Sequence, residues 1–266
     1  MKLIKHTLYL TNKWLKDIIG TIQYSVSSKK NESEILLNEL KNCHIGKRAF
    51  IICNGPSLKA EDLTKIHNNG DISFASNKIH FIFQHTPWRP TYYTVMDESY
   101  QHSLLDVMNL VPAAVKFFRI TSFSTTKKVQ SATAWLNAYG DKDLLENPKF
   151  SEDISKIIYT IGTVTYAMLQ MAVHMGIREI YIIGCDNSYG KEIKKDGTIV
   201  NHGGASYFAG SNDNKSNSPI AATWQMDLAY EFARKYADNH DIKIFNATRG
   251  GYLEAFQRVE FDSLFK

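Results

Sequence analysis

Apolar, β-branched runs alternate with helical patterns along most of this chain, and that alternation limits its fold more than any other feature. Strand-like runs are predicted at residues 48–53, 72–75, 91–96, 114–120, 179–184 and 242–246. Helical patterns occupy residues 58–67, 163–175 and 221–238. Strands that alternate with helices favour a mostly parallel sheet with helices on both faces. The sequence therefore predicts an α/β, Rossmann-like domain over residues 46–266.

Residues 1–45 are predicted to form a basic amphipathic helical arm in front of this domain. The net charge of the chain is +4, and residues 1–30 alone hold six lysines against Asp17, a local charge of +5. Several Ile and Leu residues and Trp14 can share one side of a helix there, beside the lysines. Such a helix can lie on an anionic membrane, and packing against the domain or a second subunit is the alternative. A polar break at residues 27–33 and a second short helix at 34–42 complete the predicted arm.

The remaining residues carry a net charge of −1, so the body has no excess of positive charge with which to bind nucleic acid. The sequence has no run of eighteen apolar residues and no signal-peptide pattern at its N-terminus. Its three cysteines lack metal-ligand spacing, which indicates reduced thiols. We expect a cytoplasmic protein, held peripherally at the inner face of the membrane if the arm contacts lipid.

Polar residues follow five of the six predicted strands. In chain order they are Asn54-Gly-Pro-Ser57, Ser76-Asn77, Asp97-Glu-Ser99, Gly184-Cys-Asp186 and Asn246-Ala-Thr248. Open α/β sheets bind ligands outside the carboxyl ends of their strands, so these residues are expected to form the rim of one site. The first turn is expected to present backbone N–H groups to a phosphate, with Ser57 as a helix cap. An ordinary strand–turn–helix connection is the alternative.

Four residues are candidates for chemistry. His202 stands beside glycines in a long polar segment, residues 187–219, whose composition favours a lid that contacts substrate. It is a candidate general base, because the usual pKa of an imidazole lies near neutrality; a surface histidine is the alternative. Arg249 is a candidate partner for a phosphate. Asp97 and Asp186 would hold Mg²⁺ if they converge, and otherwise each caps a turn.

Several spaced motifs resemble the bacterial 6-hydroxymethylpterin diphosphokinase-like (MptE-like) family over roughly residues 46–265. They are Cys53-Asn-Gly-Pro-Ser-Leu58, Phe74-Ala-Ser-Asn77, Trp88-Arg-Pro-Thr-Tyr-Tyr93 with Asp97, Gly162-Thr-Val-Thr-Tyr166 and the run from Gly176 to Asp186. Many proteins of this family are encoded among surface-polysaccharide genes. The resemblance implies a nucleotide-dependent transferase domain over residues 46–266.

A second, weaker resemblance is to the bacterial CMP-sialic acid-dependent sialyltransferases. In those enzymes the Asn-Gly-Pro-Ser turn and a following strand-end Asn hold the nucleotide, and tyrosines after a Gly-x-Asp turn contact the departing phosphate. Comparable roles are implied here for Asn77, Tyr189 and Tyr207. That family has a histidine base shortly before its late helix, whereas residues 218–222 contain no histidine. The chain departs from the sialyltransferase pattern at this point.

Together these features predict a glycosyltransferase of surface-polysaccharide assembly, with a nucleotide-sugar donor and a glycan or lipid-linked acceptor. The predicted catalytic residues are His202, Asp186, Tyr189 and Tyr207. The predicted nucleotide-binding residues are Asn54, Gly55, Pro56, Ser57, Asn77, Asp97, Thr163 and Arg249. One alternative is an ATP-dependent diphosphokinase acting on a pterin-like alcohol, with Mg²⁺ on Asp97 and Asp186; no other cofactor is expected. A non-catalytic nucleotide-sugar-binding partner is the other alternative.

Overall fold

An eight-stranded parallel sheet forms the centre of the protein in a computed structural model, which describes residues 2–97, 101, 105–203, 205–208 and 220–266. Its strand order is β12-β11-β8-β1-β2-β3-β4-β5. The strands are β1 Arg48–Ile52, β2 Ile72–Ser76, β3 Tyr92–Thr94, β4 Val115–Arg119, β5 Thr133–Leu136, β8 Glu179–Ile183, β11 Lys243–Asn246 and β12 Gln257–Arg258. Two small sheets pair β6 Ala138–Tyr139 with β7 Ile158–Tyr159, and β9 Lys191–Ile193 with β10 Ile199–Asn201.

Helices surround this sheet. They are α1 Lys2–Ser25, α2 Ser28–Leu40, α3 Ala60–Asn68, α4 Leu105–Leu110, α5 Phe123–Thr126, α6 Val164–His174 and α7 Thr223–Asp238. Short 3₁₀ helices occur at Ile79–His85, Ile120–Ser122, Lys142–Leu145 and Phe261–Phe265. Among the described residues, no helix combines the length and apolar character needed to cross a membrane.

The core lies on both faces of the sheet. Ala49 and Ile51 of β1 enter one hydrophobic cluster, whereas Phe50 and Ile52 enter the other. Successive side chains of a strand point to opposite faces, so each of the central strands feeds both clusters. Helix α6 packs on the first face with all but its first residue buried. These layers confirm the predicted Rossmann-like architecture.

The six predicted strands and three predicted helices of the body are all present, with ends that differ by a few residues. The edge strand β12 was not predicted because its two residues, Gln257 and Arg258, are exposed and polar. The long segment expected as a loop begins with the antiparallel hairpin β9–β10. Its turn holds Gly197 at a φ of +88°, directly after Asp196, and Asp-Gly is a known hairpin signal. Residues 204 and 209–219 of this segment lie outside the described part.

The N-terminal arm is helical, but the predicted polar break at residues 27–33 is wrong. Helix α2 starts at Ser28, and the Ser27 side chain caps it by accepting a hydrogen bond from the Lys29 N–H. The Ser33 hydroxyl is buried and accepts a 2.9 Å hydrogen bond from the Trp135 N–H. The polar run at residues 27–33 is therefore the start of this helix, where Ser27 is the cap and Ser33 bonds to β5.

Helix α1 packs on the body through one side and leaves apolar side chains exposed on the other. Tyr24 is buried, and Gly20 lies so close to Thr121 that an added Cβ would stand 2.1 Å from its carbonyl oxygen. On the outer side, Trp14 is 62% exposed and Ile22 is 58% exposed. The side chains of residues 2–10 lie outside the described part.

Candidate active site

A cleft of about 590 Å³, here called the first cleft, opens at the carboxyl edge of the sheet. Asn77, which follows β2, lines it together with Asp97, which follows β3. Arg119, the last residue of β4, is a third lining residue. Open α/β sheets bind ligands at this edge. The structure thus brings two of the predicted strand-end residues to one cavity.

Two helices and the long polar segment complete the first cleft. Thr163, the N-cap of α6, faces it, and its hydroxyl oxygen accepts a hydrogen bond from the Thr165 N–H. Tyr189 and Tyr207 line the cleft from the polar segment. Residues 12, 13, 16 and 17 of α1 form a further wall. The N-terminal arm is therefore part of the cavity.

Asn77 has a strained backbone that is held firmly in place. Its φ is +53°, in the left-handed region that Asn tolerates better than most residues. Its N–H donates to the Thr94 carbonyl, and its own carbonyl accepts a 2.6 Å hydrogen bond from the Tyr93 hydroxyl. Within the part of the chain that the structure describes, its buried Oδ1 has no hydrogen-bond partner. Such an oxygen normally meets water or a ligand.

Asn54, which follows the neighbouring strand β1, also has a side-chain oxygen without a partner in the described part of the chain. Its Nδ2 donates to the Ser76 carbonyl at 3.2 Å, and its backbone carbonyl accepts from the Phe208 N–H at 3.0 Å. Its buried Oδ1, like that of Asn77, has no partner among the described residues. Two amide oxygens that have no partner among the described residues therefore follow β1 and β2, which are neighbours in the sheet.

The rest of the turn after β1 is bonded within the fold. The Gly55 N–H donates to the Gly184 carbonyl, and the Leu58 N–H donates to the Gly55 carbonyl. The Ser57 N–H donates to Oδ2 of Asp186 at 3.1 Å, and Pro56 has no N–H. None of residues 54–57 lines the first cleft. The N–H groups of Gly55, Ser57 and Leu58 are therefore used within the fold and are not available to a phosphate.

Asp186 is the buried carboxylate that holds this turn. Its Oδ2 also accepts a 2.8 Å hydrogen bond from the Ser57 hydroxyl, and a Cβ on Gly55 would stand 2.0 Å from the same oxygen. Gly55 is therefore required by its contact with Asp186. Ser57 does not cap α3, contrary to expectation, because the N-cap of that helix is Lys59. Asp186 is a weaker candidate base than His202, because its Oδ2 is engaged and it lines neither the first cleft nor the cleft that holds His202.

Asp97 and Asp186 do not fit a single Mg²⁺. They follow β3 and β8, which are separated in the sheet by β1 and β2. Neighbouring strands lie about 4.8 Å apart, so about 14 Å separates the two strand axes, whereas Mg²⁺ binds oxygens at about 2.1 Å. Among the described residues, no group of three or more His, Cys, Asp or Glu side chains is placed to hold a metal ion.

His202 lies on a second cleft, beside α7, in a network centred on Glu192. Its Nε2 is 2.9 Å from Oε1 of Glu192, and Oε2 of Glu192 accepts a 2.7 Å hydrogen bond from the Thr223 hydroxyl. Hydrogen bonds from Lys194, Thr223 and His202 lower the pKa of Glu192 to about 2. An ionised carboxylate only accepts, so His202 donates through Nε2, and in the neutral form of the ring the lone pair is on Nδ1. This is the tautomer that a general base needs.

Arg249 lines neither cleft. Its guanidinium donates two hydrogen bonds of 2.8 and 2.9 Å to the carboxylate of Asp62, and it also contacts Asp262 at 2.9 Å. These carboxylates, Asp62 first, raise the pKa of Arg249. Its donors tie α3 to the C-terminal 3₁₀ helix, and the structure does not bring it to the residues of the first cleft.

Three basic residues of the first cleft were not predicted from the sequence. Arg119 ends β4, and the strand-end rule, applied to that strand as well, would have found it. Lys13 and Lys16 lie one turn apart on α1. Their place on the cleft depends on how α1 packs, for which the sequence carries no local signal.

Comparisons with known proteins agree with the fold. The sequence matches the family described as 6-hydroxymethylpterin diphosphokinase MptE-like over residues 22–192. No curated protein matches the chain. Among solved structures, the MAf glycosyltransferase from Magnetospirillum magneticum AMB-1 is similar, with a TM-score of 0.52 and 17% sequence identity. The match covers 88% of this chain and 38% of that one, and at this identity it shows a shared fold alone.

Proposed function

This chain belongs to the 6-hydroxymethylpterin diphosphokinase MptE-like family, and on that premise we propose that it is a nucleotide-dependent transferase that uses a nucleotide-sugar donor. The observation that carries the proposal is the buried amide oxygen of Asn77, which lines the first cleft and, like that of Asn54 outside the cleft, lacks a partner among the described residues. The two residues follow adjacent strands at the edge where α/β sheets bind nucleotides. A base amine or a ribose hydroxyl in the first cleft would donate to Oδ1 of Asn77.

The other side of the first cleft suits the phosphate of such a donor. Helix α6 directs its N-terminal turn, with Thr163, at the cavity. A helix N-terminus carries partial positive charge and attracts anions. The hydroxyls of Tyr189 and Tyr207 would stabilise the negative charge that develops on the phosphate as the sugar leaves. Asp97 would contact the sugar or the nucleotide through its carboxylate.

His202 is the proposed base. Its Nδ1 would accept the proton of an acceptor hydroxyl, while Glu192 fixes the ring through Nε2. Tyr189 lines both clefts, so the second cleft adjoins the proposed donor site. The proposed reaction is sugar transfer in surface-polysaccharide assembly, and a glycosyltransferase of known structure has a similar fold.

Two alternatives remain. One is ATP-dependent diphosphoryl transfer to a pterin-like alcohol, because the family description names a diphosphokinase. The other is nucleotide-sugar binding without catalysis. A thermal-shift screen of CMP, UDP, GDP and ATP, each with and without Mg²⁺, separates them. Stabilisation by CMP, UDP or GDP without metal supports glycosyl transfer, and stabilisation by ATP only with Mg²⁺ supports the diphosphokinase. A non-catalytic binder would show the same stabilisation but no hydrolysis or transfer of a sugar nucleotide in an activity assay.

We also propose that α1 holds the protein on an anionic membrane. Trp14, Ile19 and Ile22 are 62%, 47% and 58% exposed on the side of α1 that faces away from the body. Lys2 and Lys5 belong to the same helix, and each lysine near an anionic surface contributes roughly 1 kcal/mol; Lys13 and Lys16 line the first cleft on its other side. Because the other side of α1 lines the first cleft, this contact would place the cavity next to a lipid-linked acceptor at the cytoplasmic face.

A further inference from the structure

A second cleft of about 930 Å³ lies between α7, the hairpin β9–β10 and the segment after β11. Tyr189 lines it as well as the first cleft, so one aromatic side chain stands between the two cavities. His202 and Glu192 form part of its wall on the hairpin side. Nothing in the proposed donor site accounts for this cavity or for the side chains that α7 presents to it.

One side of α7 faces the second cleft. Asp227, Glu231 and Lys235 follow Thr223 at intervals of four residues, a spacing that places all of them on the same side of a helix. Within the described part of the chain, the Glu231 carboxylate and the Lys235 ammonium have no hydrogen-bond or ion-pair partner. This side of the helix therefore offers an acceptor and a donor to a ligand.

Asn187 adds a polar group that is held rigidly at the same place. Its φ is +49°, and its Nδ2 donates a 2.6 Å hydrogen bond to Oδ1 of Asp227. Its Oδ1 is buried and has no partner among the residues that the structure describes. As at Asn77, an oxygen in this condition normally meets water or a ligand.

The charges of the second cleft favour a neutral ligand. Four carboxylates line it, those of Glu192, Asp227, Glu231 and Glu254. Glu192 and Glu254 are paired with Lys194 and Arg258, and Asp227 and Glu231 outnumber Lys235, which has no ion-pair partner among the described residues. This excess of negative charge disfavours a phosphorylated molecule. The cations Lys194 and Arg234 are already paired with Glu192 and Asp238. The cleft therefore has more carboxylate and amide oxygens than unpaired donors, and these oxygens accept hydrogen bonds from hydroxyl groups.

The aromatic residues of the cleft favour a ring-shaped ligand. Tyr252 is 74% exposed, and its ring lines the second cleft, as does that of Tyr189. An exposed tyrosine offers a flat apolar surface with a polar tip. A flat apolar surface next to many hydrogen-bond acceptors matches a sugar, which has apolar C–H faces and a rim of hydroxyls.

We propose that the second cleft is the acceptor site and that it binds an uncharged, polyhydroxylated sugar unit. Its transfer step rests on the proposed function of the first cleft. An acceptor hydroxyl gives its proton to Nδ1 of His202, and its oxygen forms a bond to the anomeric carbon of the donor. The bond from that carbon to the nucleotide phosphate breaks, and the phosphate keeps the electron pair. Tyr189 stands where the two substrates meet.

Saturation-transfer NMR of the full chain with lactose, maltose, cellobiose and N-acetylglucosamine tests the site directly. We expect at least one of these sugars to receive saturation from the wild type. We expect the signal to fall at least threefold in Glu231→Gln, which leaves the fold intact because this side chain is exposed and has no partner among the described residues. The matched control is Glu61→Gln, an exposed residue of α3 that lies outside both clefts.

Nucleotide binding, measured on the same samples, tests the proposed function separately from the sugar site. If no sugar receives saturation, or if Glu231→Gln and Asp227→Asn bind sugar as the wild type does, the second cleft is not a sugar site. Nucleotide binding that persists in that case leaves the proposed function standing. Sugar binding that depends on Glu231, without any nucleotide binding, supports the sugar site and contradicts the transferase.

Discussion

The Ser57 hydroxyl donates a 2.8 Å hydrogen bond to Oδ2 of Asp186, which joins the turn after β1 to the end of the neighbouring strand β8. The same oxygen accepts the Ser57 N–H and leaves no room for a side chain on Gly55. The most conspicuous turn of the sequence is thus held by a carboxylate 129 residues away. The turn therefore supports the fold at this edge of the sheet, and Asn77, which lines the first cleft, is left to meet a ligand.

Removal of this carboxylate is predicted to destabilise the protein. Asp186→Ala leaves the N–H and the hydroxyl of Ser57 without an acceptor, and we expect the free energy of unfolding to fall by about 2 kcal/mol. Urea unfolding measures this loss. Asp106→Ala, at an exposed position in α4, is the control and should change little. Equal unfolding midpoints for Asp186→Ala and the wild type would show that the turn does not depend on Asp186.

The contact of α1 with the body is predicted to depend on Gly20. An alanine there would place its Cβ 2.1 Å from the Thr121 carbonyl oxygen, although alanine favours an isolated helix over glycine by about 1 kcal/mol. We expect Gly20→Ala to lower the melting temperature and Thr21→Ala, at an exposed position of the same helix, to leave it almost unchanged. A higher melting temperature for Gly20→Ala would mean that α1 does not pack as described.

The Glu192 network is predicted to make stability depend on pH in the acid range. Lys194, Thr223 and His202 lower the pKa of Glu192 from 4.5 to about 2 in the folded protein. A lowered folded pKa gives stability that is fully present above pH 4.5 and is lost as the pH falls toward 2. We expect the stability advantage of the wild type over Glu192→Gln to be constant from pH 7 to 5 and to shrink between pH 4.5 and 3. Urea unfolding at each pH measures it, and an advantage that does not change with pH contradicts the network.

The exposed side of α1 is predicted to bind anionic vesicles. Ile19→Glu and Ile22→Glu add negative charge and remove apolar area from an exposed surface, so the fold should be retained. We expect wild-type protein to sediment with phosphatidylglycerol vesicles at low salt and the double variant to stay in the supernatant. Ile35→Glu, at an exposed position of α2, serves as the control. Wild-type protein that stays in the supernatant contradicts membrane contact.

Local sequence pattern was enough for the sheet and for part of the site. The apolar runs of β1 and β8 predict central strands, and Asn77 and Asp97 follow from the rule that ligands bind at strand ends. The sequence could not show that the hydrogen-bond donors of Ser57 and Arg249 are engaged within the protein, because their acceptors, Asp186 and Asp62, are distant in sequence. The same limit applies to Lys13, whose place on the cleft depends on the packing of α1.

Nucleotide binding by the first cleft is the central claim, and isothermal titration of CMP, UDP, GDP and ATP into three proteins tests it most directly. They are the wild type, Asn77→Gly and Asn42→Gly. Asn42 has a φ of +60°, close to the +53° of Asn77, but it does not line the cleft, so both substitutions relieve the same backbone strain. We predict that at least one nucleotide binds the wild type and Asn42→Gly equally. We predict roughly tenfold weaker binding to Asn77→Gly, because one hydrogen bond of about 1.4 kcal/mol is lost. Equal affinity for all three proteins, or no binding of any nucleotide, would contradict the account.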